Sequence, residues 1–175
     1  MAGSISNFLT TFKTDPARAF RFDVFIPSPQ GIDSSILDAF NLTYRCEVAQ
    51  LPGRNFSTME QKTYGPIEKF PYWTNYNDID LTFLIDDDMI IKKGFDQWME
   101  YINPAPTFNF NYKNDYSVDI TIRQFNAQND YSYQVRLVDA FPINMNQLDL
   151  DWSSDSIHKL TVTFAYTYWQ SIPLE

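Results

Sequence analysis

The architecture of this chain is set by residues 131–169, which read YSYQVRLVDAFPINMNQLDLDWSSDSIHKLTVTFAYTYW. Apolar and polar side chains alternate over 131–137 and again over 160–168. A period of two predicts β-strands with one buried and one polar face. Proline has no backbone donor and a fixed φ, so we expect the first strand to end before Pro142 and the chain to turn at 141–144.

The same alternation recurs upstream and predicts four more strands, at 20–26, 42–48, 79–85 and 118–122. The segment 56–70 is more polar, and Gly65-Pro66 near its middle predicts a turn between two extended arms. This hairpin has little apolar alternation to bury. We therefore expect it to project from the subunit or to be buried only on assembly.

Helical spacing occurs at two places. Ile91, Phe95, Trp98 and Ile102 form one stripe and predict a helix after Ile85. We expect the three aspartates at 86–88 to cap this helix and complement its dipole, since they lack the ligand pattern of a calcium loop. A short amphipathic helix is predicted at the start of the chain, on an apolar stripe made of Ile5, Phe8, Leu9 and Phe12.

Composition narrows the class of protein. A chain of 175 residues fits a single domain, 1–175, and 44% hydrophobic and 17% aromatic residues are too many for a disordered segment. The net charge is −9 and no Lys/Arg run is present, which argues against electrostatic gripping of nucleic acid. No signal peptide or apolar run of membrane-spanning length is visible, so we expect a soluble protein made in the cytoplasm.

Residues for catalysis are sparse. The chain has one histidine, His158, and one cysteine, Cys46, which we expect to be a small buried hydrophobe rather than a reactive thiol. No Gly-x-Ser-x-Gly motif and no glycine-rich phosphate loop is found. We therefore predict a protein that is not an enzyme, with no cofactor, no catalytic residues and no metal site.

A set of motifs in the last third resembles the C-terminal region of the tail tube proteins of contractile-tailed phages (myoviruses). The motif residues, which we also place in the core, are Pro142, Asn144, Leu148, Leu150, Asp151, Trp152, Tyr168 and Trp169. Upstream, Phe22-x-Val24, the segment 46–52 and the helix with Phe95-Asp96-Gln97-Trp98 are similar to that family. The segments 27–40 and 104–116 depart from its pattern.

The resemblance implies a mainly β protein: an antiparallel β-sandwich or partial barrel with one flanking α-helix and a short N-terminal helix. It implies assembly into a homohexameric ring, with rings stacked into the tail tube through which phage DNA is ejected. The implied partners are other copies of the chain, the sheath protein, the tape-measure protein, the baseplate and the tail terminator. DNA would pass without specific binding, no membrane would be involved, and the location would be the virion.

Two sets of residues are candidates for roles in such a tube. The candidates for the surface facing the lumen are Thr58, Glu60, Lys62, Asp119, Thr121, Gln134 and Arg136. The candidates for contacts between subunits or between rings are Ile5, Phe8, Leu9, Phe12, Phe56, Tyr64 and Phe70.

Three other functions are compatible with the same patterns. A baseplate protein that initiates the tube would share them, although 175 residues leave little room for extra baseplate-binding segments. A type VI secretion inner-tube protein would also form hexameric rings. A glycan-binding β-sandwich is the alternative without assembly, suggested by aromatic residues such as Tyr72, Trp73 and Tyr76.

Overall fold

The protein is described by a computed structural model that covers residues 16–32, 39–62, 64–153 and 155–173. The predicted opening helix lies outside these residues. The strands are β1 (Phe22–Phe25), β2 (Cys46–Ala49), β3 (Asn55–Gln61), β4 (Glu68–Asn75), β5 (Ile79–Leu84), β6 (Val118–Phe125), β7 (Tyr131–Met145), β8 (Lys159–Ala165) and β9 (Tyr168–Ser171). The helices are α1 (Ala39–Arg45), α2 (Ile90–Ile102) and α3 (Lys113–Tyr116).

The strands of the body form two antiparallel layers that share one long strand. The first layer, sheet 1, has the order β1-β6-β7-β9, and the second, sheet 2, has the order β7-β8-β5-β2. β3 and β4 pair with each other in a separate two-stranded sheet. The mainly β fold with antiparallel sheets and a flanking helix is confirmed.

The core lies where the apolar faces of the two sheets meet. Leu81 on β5 stands opposite Val162 on β8, and both are fully buried. On sheet 1, Ile122 of β6 stands opposite Val135 of β7, and both are again buried. Every second residue of β5 and β8 is buried, and β6 and β7 follow the same alternation around Ile122 and Val135.

Helix α2 flanks this core through one apolar stripe. Its buried residues are Ile91, Gly94, Phe95, Trp98 and Ile102, which confirms the predicted helix and its face. The Phe95 ring lies 5.4 Å from that of Phe83 and 6.0 Å from that of Phe164, between centroids. Contacts between aromatic rings at such distances stabilise beyond the area they bury.

The aspartates at 86–88 do not occupy the N-cap position of α2, although hydrogen bonds, first from the Arg45 side chain and then from the Ile90 backbone, help to lower the pKa of the Asp86 carboxyl. The helix begins at Ile90, and Met89 precedes it with a left-handed φ of 55° and no side-chain capping hydrogen bond. A backbone hydrogen bond from Met89 N to Asp86 O, 3.0 Å long, closes a turn before the helix starts. The Asp86 carboxylate instead contacts Arg45 Nη1 at 2.5 Å.

The strand predicted at 42–48 is also wrong over most of its length. Residues up to Arg45 form helix α1, and only Cys46–Ala49 form a strand. Leu42 is buried while Tyr44 is 74% exposed, which fits a helix, because a strand would place these two residues on the same face. Thr43 Oγ1 donates a 2.7 Å hydrogen bond to Val24 O, which joins α1 to β1. The alternation of apolar and polar residues in the sequence does not predict this contact.

The predicted turn at 141–144 is a third correction, because β7 continues through Pro142 to Met145. Asp139 has a φ of 55°, and the register shifts between Pro142 and Asn144. These irregularities bend the strand from sheet 1 into sheet 2. A proline is tolerated at such a bulge because the ladder is already interrupted there.

The strand predicted at 160–168 divides into two. β8 ends at Ala165 and pairs with β5 in sheet 2, whereas β9 begins at Tyr168 and pairs with β7 in sheet 1. Between them Thr167 N donates a 3.0 Å hydrogen bond to Val138 O. The chain therefore crosses between the layers within two residues.

Candidate assembly surfaces

The most exposed element of the described chain is the hairpin β3–β4. Its pairing runs from Asn55 opposite Asn75 to Gln61 opposite Glu68, and Gly65 in the connecting turn has a φ of 125°, a conformation that favours glycine. Nearly every residue of both arms is exposed. The predicted hairpin is confirmed, and in the single subunit it projects from the body.

Large apolar side chains cover this hairpin, and within the described residues they remain exposed. Met59 stands opposite Phe70, and Trp73 stands opposite Ser57 on the same face. Phe56, Met59 and Trp73 are 59%, 54% and 65% exposed. Other large exposed side chains on the hairpin are Tyr64, Ile67, Phe70 and Tyr72.

The candidates for contacts between subunits divide between two regions. Phe56, Tyr64 and Phe70 are all exposed on the hairpin. Ile5, Phe8, Leu9 and Phe12 lie outside the described residues. Sequence reasoning missed Met59 and Ile67, which are also large apolar side chains exposed on this hairpin.

A second surface is the polar face of sheet 1, where four of the lumen candidates lie together. Thr121 stands opposite Arg136 on neighbouring strands. Arg136 donates to Asp119 Oδ2 through Nε at 2.9 Å and through Nη2 at 2.7 Å. Gln134 stands opposite Arg123 one step further along. The structure therefore brings Asp119, Thr121, Gln134 and Arg136 into one patch.

The same face carries a second ion pair that sequence reasoning missed. Arg123 Nε and Nη2 donate to the two carboxylate oxygens of Asp23 at 2.7 and 2.8 Å. The hydrogen bond with Asp23 raises the pKa of the Arg123 guanidinium. Asp23 and Arg123 are both polar positions in alternating strands. The ion pair could have been predicted if the pairing of β1 with β6 had been known. Arg123 and Arg136 are thus each paired with a carboxylate in the same subunit.

The other lumen candidates are on the hairpin instead. Thr58 and Glu60 on β3 and Lys62 next to it are exposed. Lys69 Nζ, on the neighbouring strand, lies 3.7 Å from Glu60 Oε1. Alternation along the strand places the three on one side of it. They form a group separate from the sheet 1 patch in the single subunit.

The motif residues of the last third do not form one core cluster. Pro142 is buried, and Leu148 and Trp169 pack against the core. Leu150 and Trp152 are 85% and 108% exposed, so their placement in the subunit core is wrong. They lie in a loop that has no strand to bury them.

The loop of Trp152 is held locally by Asp151. Asp151 Oδ1 accepts hydrogen bonds from the Ser153 backbone N at 2.9 Å and from Ser153 Oγ at 2.8 Å. These bonds lower the pKa of the Asp151 carboxyl. Asn144 and Tyr168, the remaining motif residues, are exposed.

Few groups on the described surface are arranged for chemistry. Over residues 16–32, 39–62, 64–153 and 155–173, no three side chains of the His, Cys, Asp or Glu type lie together as metal ligands. Burial raises the pKa of the half-buried Cys46 thiol to about 12, which disfavours the nucleophilic thiolate. In the same residues no helix is long and apolar enough to span a bilayer.

Solved structures share this fold at low sequence identity. A chain of the sheath-tube complex of an extracellular contractile injection system in the extended state is 17% identical, with a TM-score of 0.66, 99% of this chain and 100% of that chain being covered. A chain of the tube-terminating cap of the anti-feeding prophage is 17% identical, with a TM-score of 0.68 and 93% and 95% coverage. A chain of that prophage's baseplate is 16% identical, with a TM-score of 0.64 and 91% and 97% coverage.

The fold of this chain is thus a β-sandwich that is shared with chains of contractile injection systems. A family model described as phage tail tube protein matches residues 17–172. The chain therefore belongs to the phage tail tube protein family and is a structural component of a phage tail. No curated protein matches it.

Proposed function

We propose that this chain forms the tail tube of a contractile-tailed phage as a single domain that closes into hexameric rings, which stack to make a conduit for DNA. The observation that carries the proposal is the hairpin β3–β4, whose large apolar side chains are exposed among residues 16–32, 39–62, 64–153 and 155–173. A two-stranded hairpin alone is marginally stable in water. A neighbouring copy that covers Met59, Phe70 and Trp73 would supply this burial.

The hairpin and the opening segment are the proposed contacts between copies. Phe56, Tyr64 and Phe70 act from the hairpin, and Ile5, Phe8, Leu9 and Phe12 act from the start of the chain. Contiguous exposed apolar surface of this kind marks interaction sites in soluble proteins. Closing a ring also pairs strand edges that would otherwise be free to aggregate.

The polar face of sheet 1 is the proposed lining of the channel, together with Thr58, Glu60 and Lys62 on the hairpin. On this face Arg123 is paired with Asp23, and Arg136 is paired with Asp119. A guanidinium that is paired with a carboxylate is a weaker partner for a phosphate, because the carboxylate offsets its positive charge and repels the phosphate. DNA would then slide through the channel without sticking.

The proposed partners follow from the place of a tube in a tail. Similar chains come from a sheath-tube complex, a tube-terminating cap and a baseplate, which supports contacts with a sheath protein, a tail terminator and a baseplate. A tape-measure protein inside the tube and synthesis in the host cytoplasm belong to the same proposal. The role is structural rather than enzymatic.

A baseplate protein that initiates the tube is the second candidate, because a baseplate chain of the anti-feeding prophage shares the fold. An initiator would form rings that stop growing until other proteins are added. A tube subunit would polymerise with itself. The length of the purified particles therefore separates the two functions.

The test combines sedimentation velocity with negative-stain electron microscopy of the purified chain over a range of concentration and salt. We expect rings and tubes from the wild type. Phe56→Asp and Met59→Asp should remain single subunits with unchanged melting temperatures, whereas the control Ala127→Asp, in an exposed turn, should assemble normally. An inert monomer under all conditions contradicts the proposal, and rings that never lengthen favour the initiator.

A further inference from the structure

Both ends of the hairpin meet the body at one cluster of side chains. Arg54 directly precedes β3, and Tyr76 directly follows β4. The Arg54 guanidinium carbon lies 5.0 Å from the ring centroid of Trp169 and 5.6 Å from that of Tyr76. Trp169 Nε1 donates a 2.9 Å hydrogen bond to Gly53 O, at the residue before Arg54.

Trp169 is anchored in the body of the subunit. It lies on β9, opposite Leu137 of β7, and packs against the core. Tyr76 is also tied to the body, because its ring lies 6.2 Å from the ring of Tyr166, another residue packed against the core. The cluster therefore joins the two ends of the hairpin to the body of the subunit.

The hairpin has few other connections. Within the described residues β3 and β4 pair only with each other, and the ion pairs recorded there do not include Arg54. A cation over the faces of two aromatic rings is attracted to both, and the attraction grows as water is excluded. At the base of the hairpin, the charge of Arg54 is therefore stabilised by cation–π contacts with two aromatic rings.

Because the cluster lies at the base of the hairpin, a small change there moves the tip of the hairpin by a larger distance. An arm of seven residues reaches about 23 Å from the base, so a swing of roughly 10° at the base moves the tip by about 4 Å. A displacement of that size would carry Phe70 or Tyr64 out of register with a receiving surface. For contact with a receiving surface, the direction of the hairpin therefore matters as much as the identity of its side chains.

We infer that Arg54, Tyr76 and Trp169 form a clasp that sets the direction in which the hairpin leaves the body and so prepares the subunit to join other copies. The first half of this statement concerns the subunit alone. The second half rests on the proposed function. Arg54 is in this sense a positioning residue for assembly.

The clasp is tested by hydrogen exchange of the full chain in unassembled subunits at low concentration. Arg54→Ala should speed exchange of the β3 and β4 amides about tenfold and leave those of β5 and β8 unchanged. Arg54→Lys should restore much of the protection because it keeps a cation over the rings. Trp169→Phe should act like Arg54→Ala in the hairpin, since the hydrogen bond to Gly53 O is lost. Arg18→Ala, at an exposed arginine outside the hairpin, is the matched control.

The consequence for assembly is tested on the same variants by electron microscopy. We expect Arg54→Ala to slow or abolish tube formation and Arg54→Lys to recover it. Unchanged hairpin exchange in Arg54→Ala overturns the clasp. Faster exchange with normal tube formation overturns its role in assembly. A wild type that never assembles refutes the proposed function and with it that role, while the exchange experiment still tests the clasp.

Discussion

Trp98 Nε1 donates a 2.9 Å hydrogen bond to the main-chain oxygen of Tyr116, between helix α2 and the last residue of helix α3. The indole is fully buried, and its ring stacks on Phe95 at 6.1 Å and meets the edge of Phe164 at 6.1 Å. One side chain therefore joins both helices to sheet 2. A buried indole N–H without this acceptor would be costly.

Trp98 is expected to be among the most sensitive positions for stability. Trp98→Ala should lower the free energy of unfolding by about 3–5 kcal/mol, because it leaves a large cavity. Trp98→Phe should cost less, since it keeps part of the ring and loses the hydrogen bond to Tyr116 O. Denaturant unfolding of unassembled subunits measures both. Equal, small effects would show that α2 packs loosely on the sheet.

Asp119 is expected to keep Arg136 from binding DNA if the polar face of sheet 1 lines the channel. Asp119→Asn keeps the shape and removes the charge, so tubes of this variant should retain double-stranded DNA at low salt. When the salt concentration rises from 50 to 200 mM, the affinity for DNA should fall about 3.5-fold for each arginine–phosphate contact. Co-sedimentation of DNA with the tubes measures the effect.

The control for this experiment is Asp119→Asn combined with Arg136→Gln, which has no unpaired charge and should release DNA as the wild type does. Intact Asp119→Asn tubes that retain no more DNA than the wild type would mean that Arg136 does not face the channel. The analogous pair of Asp23 and Arg123 allows an independent repeat.

The contact of Asp86 with Arg45 predicts a pH dependence of stability. The hydrogen bond from Arg45 lowers the pKa of the Asp86 carboxyl below 3.8, so the ionised form is favoured in the folded state. Its stabilising effect is present above that value and is lost as the pH falls through the folded pKa. Asp86→Asn should therefore be less stable than the wild type at pH 7, and the two should converge in acid.

Thermal unfolding between pH 2.5 and 7 measures this convergence. Asp87→Asn is the matched control, because Asp87 is exposed and lies in the same turn. A constant difference between wild type and Asp86→Asn over the whole range would show that the charge of Asp86 is not involved.

Cys46 is expected to be a slow thiol in the native protein. With a pKa raised by burial to about 12 from 9.0, its thiolate at pH 8 should be scarcer by two to three orders of magnitude than in the unfolded chain. Alkylation should therefore be slow in buffer and fast in denaturant. The burial also predicts that stability falls as the pH rises above 9.0, since the unfolded state loses its proton first. Equal alkylation rates in both states would contradict this.

The regular elements could be predicted because their patterns are local. β5 and β8 alternate strictly, and the apolar stripe of α2 follows the helical period, so burial and element type agree in each. The family motif was visible for the same reason. The hairpin was readable from Gly65-Pro66 and from its lack of alternation.

The errors arose where a local pattern fits two structures. Residues 42–48 alternate, yet a helix that buries Leu42 and bonds Thr43 to Val24 O satisfies the same residues. At Pro142 the chain avoids the cost of a missing donor by placing the proline at a bulge. In both cases the packing of distant strands overrides the local preference.

Local chemistry was thus sufficient for the β-rich class, the flanking helix, the hairpin and the family. The ion pair of Asp23 with Arg123 and the bond from Trp169 to Gly53 join residues 100 and 116 positions apart, and no pattern of neighbouring residues encodes them. The ion pair forms because β1 pairs with β6. The hydrogen bond forms because β9 pairs with β7 in sheet 1, which brings Trp169 to the residues that precede the hairpin. Long-range pairing of strands, rather than alternation along them, arranges the charges and the clasp.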